Sequence, residues 1–151
     1  MPIAFSLIVV LLALHVSPPE HRAALDSPFD TYGDLCFEDE KVHLDNFAIA
    51  LRQNLNSIGY IVVYAGSESC RGEALYRANR AKRWVLRQGI SADRIRIRDG
   101  GYEQEVLTRL QPWPKDKGSY EGLTGRISID EVKVFKHCTG GIYRPRKCPV
   151  R

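Results

Sequence analysis

Residues 60–97, YIVVYAGSESCRGEALYRANRAKRWVLRQGISADRIRI, decide the fold predicted for this chain. The stretch begins with five β-branched and aromatic residues, 60–64, a run typical of a strand buried on both faces of a sheet. A loop over 65–72 leads into a helix that runs to about Gln88 and stops at Gly89. One face of that helix is apolar, with helical spacing between Ala74, Ala78, Ala81 and Val85.

A half-exposed strand closes the stretch, because charged and apolar residues alternate over Arg94, Ile95, Arg96, Ile97 and Arg98. Asp99-Gly100-Gly101 then predicts a turn, and residues 105–110 suit a further strand. Pro112 and Pro114 are expected to break regular structure. Residues 126–135 alternate well enough for one or two more strands.

Upstream of the stretch, the sequence predicts a short strand and another helix. Residues 29–37 suit a strand running into a loop, and Glu38-Asp39-Glu40 opens the helix because acidic residues favour its positive N-terminal end. The helix ends over 56–59, and its apolar face is formed by Leu44, Phe47, Ala48, Leu51 and Leu55. The order β-α-β-α-β-β predicts an α/β sandwich of the α+β kind, with both helices on one face of a mixed sheet.

The positive charge of the chain is concentrated near its C-terminus. The 151 residues include 22 Lys+Arg and 18 Asp+Glu, for a net charge of +4. From Lys133 onward there are six basic residues and no acidic one, which leaves 16 basic against 18 acidic residues over 1–132. The sequence therefore predicts a slightly acidic globular domain with a basic extension.

The N-terminus carries an apolar run, residues 3–14, interrupted only by Ser6. A transmembrane helix needs about 20 apolar residues, whereas this length suits the hydrophobic region of a secretory signal. The predicted organisation is a signal peptide over 1–24, a linker over 25–28, a domain over 29–112 and a basic extension over 113–151. The alternative interpretation of the apolar run is a buried strand or helix.

The four cysteines, Cys36, Cys70, Cys138 and Cys148, suit an exported chain in which disulfides persist. Three pairings are possible. Cys138 and Cys148 share the extension, where Gly140-Gly141 and Pro145 favour closure of a short loop worth about 2–3 kcal/mol. That pairing would leave Cys36 with Cys70. No metal site is predicted, because there is no C-x-x-C motif and only His137 adjoins a cysteine.

Motifs for catalysis are missing from the sequence. It contains no G-x-S-x-G, no P-loop and no H-E-x-x-H. Asp99-Gly100-Gly101 is not followed by a predicted helix, so it does not read as a dinucleotide-binding loop. We therefore expect neither an enzyme nor a bound cofactor.

Four short motifs over residues 29–110 resemble the OmpA-like domain of bacterial cell envelopes. Residues 29–33, FDTYG, look like that family's F-D-F-type strand, and residues 44–48, LDNFA, match its L-D-x-L-A segment. Asn79-Arg80-Ala81, followed by Val85, resembles its R-A-x-x-V signature. Residues 89–95, GISADRI, look like its G-I-p-x-x-R-I turn. The resemblance implies an OmpA-like fold and an exported protein of the periplasm or outer membrane.

The resemblance also implies a ligand. Domains of that family bind the diaminopimelate of peptidoglycan, with the signature arginine on a carboxylate and a loop aspartate on the ammonium group. It places Arg80, with neighbouring Arg77, on the ligand carboxylate. Tyr64-Ala65-Gly66 stands where the family has T-D, so Glu68 is the nearest acid that could replace the aspartate. Otherwise Arg80 is structural and pairs with an acid such as Glu73 or Glu68.

A second hypothesis comes from the basic extension. It predicts an envelope interaction or scaffold module that binds an anionic surface or an envelope protein and does not bind peptidoglycan. Nucleic acid is a third candidate, since Tyr143 lies among Arg144, Arg146 and Lys147. An exported chain rarely meets nucleic acid, so no nucleic-acid partner is expected.

Overall fold

The computed structural model describes residues 27–121 together with residues 125, 127, 128 and 132. It contains two helices and one four-stranded mixed sheet, and this confirms the predicted α+β class. The predicted order of elements is also confirmed: β1 (Asp30–Tyr32), α1 (Phe37–Gln53), β2 (Ser57–Gly66), α2 (Glu73–Arg87), β3 (Ile95–Glu103) and β4 (Leu107–Pro114).

The sheet has the strand order β1-β4-β2-β3, so β2 lies in its centre. β2 is parallel to β3 and antiparallel to β4, which pairs on its other side with β1. Both helices contribute to one apolar core with the sheet face that carries Ile61, Val63 and Leu110. The helix faces predicted from periodicity supply most of the remaining core: Leu44, Phe47, Ala48, Leu51, Ala74, Ala78, Ala81 and Val85.

Gly59 of β2 allows α1 to lie close to the sheet. A Cβ atom at this position would be 2.6 Å from Leu51 Cδ1 and 2.9 Å from Phe47 Cζ. Real Cβ atoms do not approach other atoms this closely, so a larger residue would force the side chains of Leu51 and Phe47 to move.

The C-terminal end of α1 differs from the prediction. The helix ends at Gln53, and Leu55 therefore lies beyond it with 72% of its surface exposed. The guanidinium of Arg94 donates hydrogen bonds to the carbonyl oxygens of Leu51, Asn54 and Ser57 at 2.8–2.9 Å. These bonds satisfy carbonyl groups that have no partner inside a helix end.

The predicted turn at Asp99-Gly100-Gly101 is wrong, because β3 continues through it to Glu103. Here two residues of β3 lie opposite the single residue Tyr64 of β2, which is the geometry of a β-bulge. Gly101 has a φ of +86°, and a Cβ atom on Gly100 would lie 2.5 Å from the Tyr64 ring. The glycine pair thus permits a bulge under an aromatic ring.

The expected break at Pro112 and Pro114 is also wrong, since β4 includes both prolines. They pair with β2 on one side. On the other side β1 pairs with β4 only up to Leu110, so this part of β4 is a sheet edge. A proline, which has no N–H to donate, is tolerated at such an edge.

The second face of the sheet carries a smaller cluster formed by Tyr60, Val62 and Tyr64, each at most 5% exposed. Tyr120 packs against it, with its ring centroid 5.3 Å from that of Tyr60. Ile127 forms an antiparallel bridge with Tyr102 at the β3 edge. Two points of the C-terminal segment are thus attached to the sheet.

Several predictions from the sequence lie outside the described residues. These are the signal peptide over 1–24, the cysteines Cys138 and Cys148, and most of the strand region over 126–135. Within the described part of the chain, no helix has the length and apolar character needed to cross a membrane.

Candidate functional site

Six polar side chains form a cluster between α1, α2 and the segment that joins β1 to α1. We call it the inner ion-pair cluster. It has two halves, one around Arg80 and one around Arg77, and its members are Tyr32, Asp34, Glu40, Glu73, Arg77 and Arg80.

The first half joins the two helices. The Nη2 group of Arg80 donates a hydrogen bond to Glu40 Oε2, and the Tyr32 hydroxyl donates to Glu40 Oε1 at 3.1 Å. The side chains of Arg80 and Glu40 are 9% and 2% exposed. Burial strengthens the interaction between the two charges and also makes an unpaired charge costly. Removal of either residue would therefore destabilise the fold by leaving the other charge buried without a partner.

The Arg80 guanidinium is also held by an aromatic ring. Its Cζ atom lies 4.7 Å from the centroid of Phe37, the first residue of α1. Its Nε atom is buried and has no hydrogen-bond partner among the described residues. Arg80 therefore retains one donor group that the rest of the described structure does not use.

The second half of the cluster anchors the start of α2. Arg77 Nε donates to Glu73 Oε1 at 2.8 Å, and Arg77 Nη2 donates to Asp34 Oδ1 at 2.5 Å. Glu73 Oε2 in turn accepts a hydrogen bond from the backbone N–H of Cys70 at 3.0 Å. Arg77 thus links the loop before α1 with the loop before α2.

Cysteines flank both loops. Cys36 immediately precedes α1, and Cys70 lies two residues before the N-cap of α2, Gly72. Both Cys36 and Cys70 are disulfide-bonded, as the sequence predicts. Covalent bonds at these two positions restrain the loops that carry the inner ion-pair cluster.

The environment of Tyr32 perturbs its ionisation. Burial raises the pKa of the Tyr32 phenol well above its ordinary value near 10, and the negative charge of Glu40 raises it further. Tyr32 therefore stays protonated and continues to donate its hydrogen bond to Glu40 across the neutral pH range.

The three predicted ligand residues do not come together in the structure. Arg80 and Arg77 lie together in the cluster, whereas Glu68 is exposed and forms no ion pair with Arg80. The sequence suggested Glu73 or Glu68 as the partner of a structural Arg80, but the partner in the structure is Glu40. Arg80 is buried and already paired with a carboxylate of the protein.

Sequence reasoning missed Glu40 and Asp34. It assigned Glu40 to an acidic helix start, but Glu40 lies four positions before Leu44 and therefore on the buried face of α1. Helical phase alone could have identified it. Asp34 carries no such signal, because it lies in an irregular segment and its partner Arg77 is 43 residues away.

The spacing of the R-A-x-x-V motif also bears on the assignment. Three residues separate Ala81 from Val85, so the signature is not reproduced from Arg80. A second R-A pair begins at Arg77, and Ala81 is the small buried residue four positions after it. The match to the signature is therefore partial at both arginines.

An open groove of about 550 Å³ lies at the connection between β3 and β4. Neither Arg80 nor Glu68 is among its lining residues, which are Gly33, Glu103, Gln104, Glu105, Val106, Leu107 and Ile127. In the described part of the chain, no three His, Cys, Asp or Glu side chains come together as a metal site would require.

A second group of cations lies on the sheet face opposite the helices. We call Arg96, Arg98 and Arg109 the sheet-face arginines. Arg98 lies over the ring of Tyr60, with its Cζ atom 6.0 Å from the centroid, and Arg109 lies over Tyr64 at 5.0 Å. None of the three forms an ion pair with a described residue.

The geometry separates two kinds of arginine. Arg77 and Arg80 are enclosed with carboxylates, whereas the sheet-face arginines have no carboxylate partner among the described residues and two of them lie over tyrosine rings. Comparison of the chain with protein-family models and with curated proteins found no match.

Proposed function

We propose that this chain is a non-catalytic, exported interaction module of the cell envelope, with an OmpA-like fold, that binds an anionic envelope partner through its positive surfaces. The observation that carries the proposal is that, in the described part of the chain, some arginines are paired with carboxylates of the protein and others are not. Arg77 and Arg80 are neutralised by carboxylates inside the protein, whereas the sheet-face arginines have no carboxylate partner among the described residues. The positive charge available to a partner is therefore outside the inner ion-pair cluster.

The basic extension adds to this positive charge. Its six Lys and Arg residues over 133–151 are accompanied by no acidic residue. Ile127, six positions before the first of them, is bridged to Tyr102 of β3, the strand that carries Arg96 and Arg98. The extension therefore follows a segment attached to the same strand as two sheet-face arginines.

A salt titration tests the proposal. The probes are vesicles with and without anionic lipid, and a soluble polyuronate. We expect the wild-type protein to bind anionic probes less tightly as salt rises, because each Lys or Arg near a negative surface contributes about 1 kcal/mol at low ionic strength. A variant with all six basic residues of 133–151 changed to Gln should bind more weakly. Binding that ignores both salt and these substitutions would overturn the proposal.

Peptidoglycan is a second candidate partner, and one observation favours it. The buried Nε group of Arg80 has no acceptor among the described residues. Glu40 accepts from Nη2, which lies on the same edge of the guanidinium as Nε. A ligand carboxylate that accepted from both groups would therefore compete with the Arg80–Glu40 pair.

Sedimentation with purified sacculi tests this candidate. Arg80→Ala should abolish retention of the protein, and Glu40→Gln should increase it, because the weakened internal pair leaves the guanidinium free for the ligand. Arg83→Gln, at an exposed position of the same helix, is the control and should behave as wild type. If the wild-type protein does not sediment with sacculi, the peptidoglycan candidate is excluded.

A further inference from the structure

We infer that the sheet face carrying Arg98 and Arg109 binds a linear acidic glycan, with uronate carboxylates on the two guanidinium groups. The inference rests on the proposed function, because it identifies the anionic partner and the structured part of the surface that binds it. Its starting point is the position of the two arginines on either side of the central strand. Both pair with the same residue, Val62 of β2.

This register places the two arginines on one face of the sheet. Residues paired across a sheet point to the same face, so Arg98, Val62 and Arg109 form one row across β3, β2 and β4. Two strand spacings place the Cα atoms of the arginines about 10 Å apart. The guanidinium groups also diverge along β2, because Arg98 extends over Tyr60 and Arg109 extends over Tyr64. Carboxylates that recur along an extended glycan can reach both groups.

The tyrosines beneath the arginines hold them in place. Tyr60 and Tyr64 are 5% and 1% exposed, and their rings form a fixed base for the guanidinium groups of Arg98 and Arg109. A guanidinium group that lies over an aromatic ring keeps its N–H groups in its own plane, where they can still donate to a ligand. The two arginines are thus ordered before binding, which lowers the entropy lost when they bind carboxylates.

Two further aromatic rings lie on the same face of the sheet. Trp113 and Tyr120 are partly exposed and pack together at a centroid distance of 5.0 Å. The apolar faces of sugar rings stack on such side chains. A glycan matches this combination of aromatic rings and guanidinium groups, whereas a simple inorganic polyanion uses only the charges.

A membrane surface fits this face less well. Insertion into a bilayer needs exposed apolar side chains beside the cations. β3 and β4 contribute none of the large exposed hydrophobic residues in the described part of the chain, which are Phe29, Val42, Ile49, Leu55, Leu75 and Tyr76. The face is therefore suited to a hydrated ligand.

The test measures affinity for a polygalacturonate oligomer by calorimetry, using the full chain. Arg98→Gln/Arg109→Gln should bind at least tenfold more weakly. The control Arg83→Gln/Arg87→Gln removes the same charge from exposed positions of α2 and should change the affinity less than twofold. Equal losses in the two double variants would overturn the inference, since they would indicate non-specific attraction.

A second variant covers the case in which the glutamine substitutions disturb the fold. Arg98→Lys/Arg109→Lys keeps the charges but loses the bidentate geometry, and we expect it to bind severalfold more weakly than wild type. Affinity equal to that of wild type would overturn the inference. So would equally tight binding of inorganic polyphosphate or of anionic vesicles by the wild-type protein.

The outcomes separate this inference from the proposed function. If the sheet-face variants bind as wild type but neutralising residues 133–151 weakens binding, the inference fails and the proposed function stands. If neither set of substitutions nor salt changes binding, both fail.

Discussion

Glu40 in α1 and Arg80 in α2 form a buried ion pair that joins the two helices across the core. They are 40 residues apart in the sequence, and each is inaccessible to bulk water except for a small fraction of its surface. Burying such a pair has a desolvation cost, but removing one partner leaves a charge with no compensation. The pair is therefore a strong constraint on how α1 and α2 are placed.

The first prediction concerns this pair. Glu40→Ala removes the acceptor of both Arg80 and Tyr32, and we expect the free energy of unfolding to fall by about 3–5 kcal/mol. Urea denaturation followed by circular dichroism measures the change. Glu38→Ala is the control, because Glu38 is 67% exposed and, among the described residues, pairs only with Lys41, and it should cost less than about 1 kcal/mol. Similar losses in the two variants would contradict a special role for Glu40.

The second prediction concerns the close packing of α1 on β2. Gly59→Ala introduces a Cβ atom into the space occupied by Leu51 and Phe47, and overpacking of this kind destabilises by about 1–3 kcal/mol. Gly33→Ala is a matched control, because its Cβ atom would meet only Val106 O at an ordinary 3.6 Å. A thermal melt should show a lower Tm for Gly59→Ala alone. Equal Tm values for the two variants would show that the helix adjusts without cost.

The third prediction concerns the C-terminal end of α1. Arg94→Ala removes hydrogen bonds to three carbonyl groups, and charged hydrogen bonds contribute about 1.5–3 kcal/mol. We expect a loss of stability in that range and faster hydrogen exchange in the last turn of α1. Arg87→Ala, at an exposed position of α2, should leave the exchange of α1 unchanged. Wild-type exchange rates in Arg94→Ala would exclude the capping role.

Local sequence patterns, such as helical periodicity and β-branched runs, predicted most of the fold. The apolar spacing of both helices and the β-branched run of 60–64 each describe a surface that must be buried, so they identify the core face directly. The errors arose where strand pairing in the folded sheet overrode the local preference of the residues for a turn or a break. Gly100-Gly101 predicts a turn but permits a bulge beside Tyr64, and Pro112 is compatible with a strand because β1 is too short to pair there.

The candidate site was less predictable than the fold. Arg77 and Arg80 were selected by resemblance, but their acidic partners Asp34 and Glu40 lie 40 or more positions away in the sequence. Sequence spacing does not report such contacts, because they depend on how α1 and α2 pack. The stacking of Arg98 on Tyr60 likewise depends on register, which no local pattern determines.

The fourth prediction concerns stability at alkaline pH. The pKa of Tyr32 is raised in the folded protein, so above pH 10 the unfolded chain loses this proton while the folded protein keeps it. The folded state then binds more protons than the unfolded state, and stability must fall as pH rises beyond about 10. Below that pH both states are protonated at Tyr32, and its contribution is constant.

Tyr32→Phe tests this linkage, because phenylalanine cannot ionise. The variant loses the hydrogen bond to Glu40, so it should be less stable than wild type near neutral pH by about 1–3 kcal/mol. Its stability should then decline less steeply above pH 10. Urea unfolding at a series of pH values measures both effects. Ultraviolet absorbance should also show that Tyr32→Phe has one fewer phenol than wild type that ionises only after the protein unfolds. If wild type and Tyr32→Phe decline in parallel above pH 10, the raised pKa of Tyr32 is not coupled to folding.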